Sequence, residues 1–308
     1  MATHEVPLER RTLRGSFSRE YPPVLEIEPG DTVLLSSPDV AWCLAPPPAD
    51  PIYERDPERD AGHPLIGPIA VRGARGGQTL EVRIEEVCVG PYGFTASGGR
   101  PTPLNDRLGL TEAPETLLVW QLDQDRLVGR DQHGREVELR PFPGVLGMPP
   151  PEPGVHSTKP PRIWGGNIDC NLLVAGTILY LPIPVDGALF SAGDGHARQG
   201  DGELGQYAIE CPLERLRLTL EVRADLELAT PIAWTPEAWV ALGFHEDLDE
   251  AAAIAAGAML ELMGRRLGVE RAEALALSTA VVDLRVTQLV NGVRGAHAVL
   301  RHDAIRLA

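Results

Sequence analysis

The sequence predicts a mainly β fold, a sandwich or distorted barrel whose carboxy-terminal third becomes α+β. Three observations carry this. As far as Leu139, apolar and polar residues alternate in short runs. The 308-residue chain holds 32 glycines and 29 prolines, where average usage gives about 12% for the pair, so turns are frequent and strands short. After Asp247 the apolar period lengthens from two to that of a helix.

Taken in order, Val24–Ile27 is the first predicted strand, ending at the turn Pro29-Gly30-Asp31, and Thr32–Ser36 leaves that turn. In Thr79–Val87 the residues Leu80, Val82 and Ile84 are expected to face inward and Glu81, Arg83 and Glu85 to face water. Thr116–Leu122 and Arg135–Arg140 repeat the pattern, completing a mostly-β region over 1–140. Residues 141–164 differ: the run FPGVLGMPPPEPGVHSTKPPRIW loses backbone donors to its prolines, so an irregular, rigid loop is expected rather than a helix or a central strand. Such a loop either links β subdomains or forms part of a site.

A second β region, 165–230, ends in Arg215–Arg223, where Leu216, Leu218, Leu220 and Val222 alternate with Arg215, Arg217, Thr219 and Glu221. In the last region, 231–308, Asp247 and Glu250 form a candidate capping box for a helix to Arg266. Ala255, Met259, Leu262 and Met263 share one stripe of it, and Gly264 or Gly268 can end it. Glu270–Ala280 reads as a second helix. Asn291-Gly292 is a type I′ turn signal that folds Val281–Val290 back on Gly295–Arg301. All four regions are expected to form one compact unit.

Composition narrows the partners. With 28 basic against 44 acidic residues, formally −16, the chain repels a phosphate backbone, so no nucleic acid is expected. The cysteines Cys43, Cys88, Cys170 and Cys211 lack CxxC spacing, and free thiols in a reducing compartment are the expectation. The uncharged run Cys170–Val185 falls short of the ~20 residues that span a bilayer, and Pro182 and Pro184 interrupt it. No membrane association and a cytoplasmic location are therefore expected.

The chemistry is concentrated in Gly165–Cys211, where Asp169, Asp194, His196, Asp201 and Glu203 stand among glycines. Side chains repeat every second residue in an extended chain, so Asp194 shares a face with His196, and Asp201 with Glu203. Asp194 and His196 could clasp a cation with Asp169 as third ligand and His63 as a fourth contact, a position remaining open for water. Asp201 or Glu203 would then move the proton in hydrolysis of a C–N bond. Arg162, Trp164, Asn167 and Gln199 are candidates to orient substrate or stabilise an oxyanion. Ile168, Leu172 and Val174 would keep the pocket small. Each of these residues also has an ordinary role open to it: aspartates beside glycine commonly serve turns, and a lone histidine is commonly structural.

Five blocks taken together resemble the acetamidase/formamidase family: HPLIGPIAVRGARGGQTLEVRI at 63–84, PGVLGMPPP at 143–151, GGNIDC at 165–170, ALFSAGDGHARQGDGELG at 188–205 and DLRVTQLVNGVRGAHA at 283–298. The resemblance runs in order from about Pro29 to the carboxy terminus, and GDGHARQGDGE is its most specific part. It implies a β-sandwich (jelly-roll-like) core with a second small β unit and an α+β carboxy-terminal part. It further implies metal-assisted hydrolysis of short linear amides, of the formamide or acetamide type, to a carboxylate and ammonia, with zinc and/or calcium as the ion, by a homodimer or higher homo-oligomer. By the same similarity Asp169 and His196 belong to the active site beside Asp201 and Glu203, with His63 close by. Asn291 stands where the family pattern often has Asp, and Met148-Pro149 replace smaller residues.

Two other readings compete. Cys170 could act as a thiol nucleophile activated by His196 or a carboxylate, although the adjacent Asp169 disfavours its thiolate. A metal-stabilised β-sandwich could also be a binding module without activity. The glycines of GDGHARQGDG do not follow dinucleotide spacing, so no nicotinamide or flavin is expected.

Overall fold

The alternating runs form strands, and two large sheets dominate the computed structural model, which describes residues 1–306. The first sheet has nine strands in the order Thr3–Val6, Asp31–Ser37, Leu213–Arg223, Thr79–Val89, Ile178–Pro182, Ile232–Trp234, Ala238–His245, Arg294–Arg301 and Val282–Gln288. Its members thus come from before and after the proline-rich segment. The second sheet begins as an antiparallel meander, Tyr92–Ser97, Thr116–Asp123, Val128–Asp131 and Glu136–Glu138. It continues through Glu210–Cys211 to Phe190–His196, which pairs with Leu65–Val71 and with Phe142–Gly147, and the last of these pairs with Gly165–Asn167.

Val33, Leu80, Val82, Leu216 and Leu218 of the first sheet share one buried cluster with Ile66, Trp120, Leu146 and Phe190 of the second. The two sheets therefore pack face to face as a sandwich, each such side chain contributing about 1.5–3 kcal/mol through burial. A helical layer covers the other face of the first sheet. Asp247 opens the helix Leu248–Leu267 by accepting the N–H groups of Asp249 and Glu250, and Gly268, at φ 69°, ends it. Ala251, Ala255, Met259 and Met263 pack on Ala241, Ala296, Ala298 and Tyr180. The helix comes so close that a Cβ on Gly243 would stand 2.1 Å from the Ala251 carbonyl oxygen. The second helix spans Arg271–Val281.

Four local expectations are corrected. Glu81 does not face water but is 1% exposed and paired with Arg223 at 2.8 Å and with Arg83, because Tyr180, its cross-strand neighbour, and Leu226 cover that end of the sheet. The proline-rich stretch is not irregular throughout: Phe142–Gly147 is a fully buried strand between two neighbours, and Pro143 alone among the prolines falls inside it. Only Glu136–Glu138 of the expected Arg135–Arg140 strand is regular. The Asn291-Gly292 connection does close a hairpin, but only Gly292 has positive φ, so it is not the type I′ turn, which needs positive φ at both residues.

The hairpin carries a buried histidine. His297 is fully inaccessible, its Nδ1 is 2.8 Å from Thr287 Oγ1, and its Nε2 has no partner. Burial pushes it down to about 4. The unfolded chain therefore binds a proton that the folded one refuses, and stability is lost as pH falls from ~6.5 towards that value. Thermal unfolding followed from pH 7 to pH 4.5 should show a falling midpoint, with a shallower slope in His297→Gln; parallel slopes would remove His297 as the cause.

Candidate active site

Two neighbouring strands and the turns beside them bring the site together. Phe190–His196 contributes Asp194 and His196, both pointing to one side, and Glu210 lies directly across the ladder from His196. His196 Nε2 is 3.3 Å from Asp194 Oδ2 and 3.4 Å from Glu210 Oε2, while its Nδ1 is 4.0 Å from Asp169 Oδ1. The Phe142 ring packs on the imidazole in a T-shaped arrangement, 4.9 Å between centroids and 81° between planes. Asp169, Asp194, His196, Glu203 and Glu210 are all buried.

Backbone strain accompanies this convergence. Asp169, Asp194 and Glu203 have φ of 50°, 62° and 47°, a left-handed conformation that costs a non-glycine residue on the order of 1–3 kcal/mol. At Glu203, next to Gly202 at φ 92°, this breaks the two-residue period, whereas Asp194 keeps the same side as His196. Glutamate has less local compensation there than aspartate.

Electrostatics follow from burial and crowding. Burial, together with the facing Glu203, raises Asp169 well above the usual carboxylate range. Glu203 is pushed up to about 8 by burial, which outweighs the pull of His196, and Glu210 adds to the rise. Glu210 is also raised by burial against the attraction of His196. Burial opposes the charged form of Asp194 too, yet His196 and His63 more than offset it and hold Asp194 below its ordinary value. For His196 burial favours the neutral ring, but Glu210 and Asp194 keep it protonated well above the ordinary value.

The arrangement is suited to a cation. One ligand atom each from Asp169, Asp194 and His196 lies within 4.8 Å of the others. Asp169 Oδ1, Asp194 Oδ1, His196 Nδ1 and Glu210 Oε2 are buried without a hydrogen-bond partner, a state that is costly unless something else satisfies them. Gly144 lies against three of these residues and leaves no side chain among them: a Cβ there would stand 2.4 Å from Asp194 Oδ2, 2.6 Å from His196 Cε1 and 2.9 Å from Asp169 Oδ1. A carboxylate pair with an imidazole is a donor set that zinc accepts.

The other predicted site residues are distributed around this centre. Gln199 is buried and donates to the Asp169 backbone carbonyl at 2.8 Å. Asn167 donates to the Lys159 carbonyl at 3.1 Å, and its backbone oxygen accepts from Gln288. His63, half-buried, is tied through Nδ1 to Thr158 Oγ1 at 2.7 Å and stands outside the three-residue ligand set. Trp164 is half-buried on its loop, and its carbonyl accepts the Met148 N–H. The Arg162 side chain bonds to the Pro160 carbonyl. Asp201 is not brought into the cluster: it is exposed and bonded to Asn171 at 2.9 Å, with Arg285 nearby.

Three members are not among the residues singled out from the sequence for the site. Glu210 is an acid inside an apolar strand end, and that mismatch is its signal. Gly144 lies in the proline-rich block. Asn291, noted only as a turn residue and a departure from a pattern, donates to Asp169 Oδ2 at 3.1 Å and Glu203 Oε2 at 3.4 Å.

Comparison with known proteins shows what the chain is similar to. A family model described as the Acetamidase/Formamidase family matches residues 153–237. A Schizosaccharomyces pombe protein carrying a formamidase name is 29% identical over 146 residues, 41% of this chain and 36% of its own length. An acetamidase of Mycolicibacterium smegmatis is 47% identical over 47 residues, 15% of this chain and 12% of its own length. The matched stretches thus span about a third or less of these curated relatives. The crystal structure of an acetamidase from Bacillus halodurans superposes with a TM-score of 0.83 at 27% identity, covering 97% of both chains.

Gly144→Ala should fold but bind a divalent ion less well than the unaltered protein. Equilibrium dialysis with a divalent ion is expected to show uptake weakened about ten-fold or more, the scale seen when a site's immediate surroundings are altered. Unchanged uptake would remove the Gly144 cleft as the place where an ion binds.

Proposed function

We propose that this chain, which belongs to the acetamidase/formamidase family, is a hydrolase that cleaves the C–N bond of short linear amides with a divalent ion held by Asp169, Asp194 and His196. The observation that carries the reading is the cluster of buried oxygens and nitrogen without partners at Asp169, Asp194 and His196, beside which Gly144 places no side chain. Bound there, such an ion would polarise the amide carbonyl and acidify a water molecule. The imidazole favours zinc, and the carboxylates accept zinc or calcium.

The chain's own residues supply the proton handling. Glu203, raised to about 8 by burial in the ion-free cluster, would be drawn by a bound ion back towards neutral pH, where a general acid–base group is most effective. It takes a proton from the attacking water and passes it to the departing nitrogen as the C–N bond breaks. The water oxygen joins the acyl carbon, and the products are a carboxylate and ammonia. Asp194 and Glu210 both approach Nε2 of the imidazole and hold that edge of the ring. The buried acceptors Asn167 Oδ1 and Gln199 Oε1, both without partners, suit the N–H groups of a small neutral amide. Protons leave His196 when it takes up an ion, so ion binding strengthens as pH rises.

Cys170 is a poor nucleophile here. It is 1% exposed, and burial pushes its thiol up to about 12, leaving almost no thiolate at neutral pH. Within the same proposal the chain is cytoplasmic and forms a homodimer or larger homo-oligomer. In support, Leu275 and Leu284 are each more than half exposed, and Leu284 lies on the edge strand of the first sheet, a place that proteins tend to cover. Among the described residues no helix is long and apolar enough to cross a membrane.

Purified protein should release ammonia from formamide or acetamide, lose that activity on exhaustive chelation and regain it with zinc or calcium. Glu203→Gln is expected to lower kcat by about 10²–10⁴-fold, whereas Cys170→Ser should keep most of it. Full activity after verified metal removal would overturn the metal-dependent mechanism.

A further inference from the structure

The hairpin Val282–Gln288 and Arg294–Arg301 belongs to the first sheet, yet its connecting turn reaches the acidic cluster of the second. Two backbone bonds fasten it there: Gly202 N–H donates to the Thr287 carbonyl, and Leu289 N–H to the Gly202 carbonyl. The Glu203 loop and the hairpin are thereby held as one piece.

Side chains complete the connection. Gln288, fully buried, donates through Nε2 to the Asn167 carbonyl at 2.7 Å, with the Ile168 carbonyl at 3.4 Å. Its Oε1 therefore faces the other way and can only accept. That oxygen takes an N–H from Asn291 Nδ2 at 2.7 Å. Asn291 must accordingly present nitrogen rather than oxygen to Gln288, which turns its second N–H towards Asp169 Oδ2 and Glu203 Oε2. An amide nitrogen has two protons and here meets three acceptors, so one proton serves Gln288 and the two carboxylates share the other.

We propose that Asn291 is a positioning residue of the site, its amide bridging Asp169 and Glu203 so that Asp169 Oδ1 stays turned to the cation and Glu203 stays beside it. This rests on the hydrolase reading for its consequence in catalysis, but not for its consequence in ion binding. Aspartate, frequent here in the family pattern, has nearly the same volume but no donor while ionised, so in this chain it could take over the bridge only by holding a proton. Ionised, it would set oxygen against Gln288 Oε1 and against both acids, and Gln288 cannot turn over without abandoning the Asn167 carbonyl.

The test compares full-length Asn291→Ala and Asn291→Asp with the unaltered protein in three measurements: zinc affinity by competition with a chromophoric chelator, kcat and KM on acetamide, and the melting temperature of the metal-free proteins. Asn291→Ala should weaken zinc about ten-fold and lower kcat by about 10–100-fold, the range for groups that orient a ligand, with KM within about two-fold. Asn291→Asp should lose more kcat than Asn291→Ala and melt lower, because it adds an unpaired buried carboxylate, while Asn291→Ala melts close to the unaltered protein. The proposal is overturned if Asn291→Ala keeps zinc affinity and kcat within two-fold. It is equally overturned if both variants lose melting temperature and kcat to the same degree, since Asn291 would then only tether the turn. Should the unaltered protein release no ammonia, the hydrolase reading fails, and the zinc affinities alone decide the role of Asn291.

Discussion

Four carboxylates, Asp169, Asp194, Glu203 and Glu210, are buried around a single imidazole, and the surrounding structure has to contain their mutual repulsion. Two like charges 4 Å apart repel by about 4 kcal/mol even at an effective dielectric of 20. Protonation relieves part of this, as the raised Asp169, Glu203 and Glu210 indicate. A bound cation would relieve more, which makes the cluster unfavourable as packing and useful as a binding site.

The fold meets this demand by fixing backbone rather than by adding basic side chains. His196 is held on a strand with neighbours on both edges, and the sandwich core supplies the rigidity. Left-handed backbone at Asp169, Asp194 and Glu203 aims the acids inward. Such strain persists only where packing over-determines it. The clasp of Gly202 by Thr287 and Leu289 shows how Glu203 is kept in place although its loop also carries exposed residues such as Leu204.

Strands with one wet face were readable from alternation, Leu213–Arg223 being the clearest: Leu216, Leu218 and Leu220 are buried, and Arg215 is exposed. The same rule fails at Glu81 because a second layer covers what an isolated sheet would expose. It fails again at 201 and 203. There, Gly202 at φ 92° and Glu203 at φ 47° break the two-residue period, so Glu203 turns in and Asp201 turns out. Asp169, Asp194 and His196 were recoverable because acids and histidine stand out among glycines. Glu210 and Asn291 reach the site through strand register and hairpin docking, long-range relations that local spacing does not encode. Asn291 also carried a competing turn signal, which hid its side chain's other partner.

Because Asn291 comes from a hairpin more than eighty residues beyond Glu203, the centre is assembled late in the life of a new chain. A nascent polypeptide that has emerged only as far as Glu210 already holds every acid and the histidine, but nothing yet clasps Gly202 or donates between Asp169 and Glu203. Ion capture at that stage would be loose and reversible. Under the proposed ion-binding role, secure loading would wait until the hairpin has joined its sheet, and a truncated or half-made product would compete poorly for the ion.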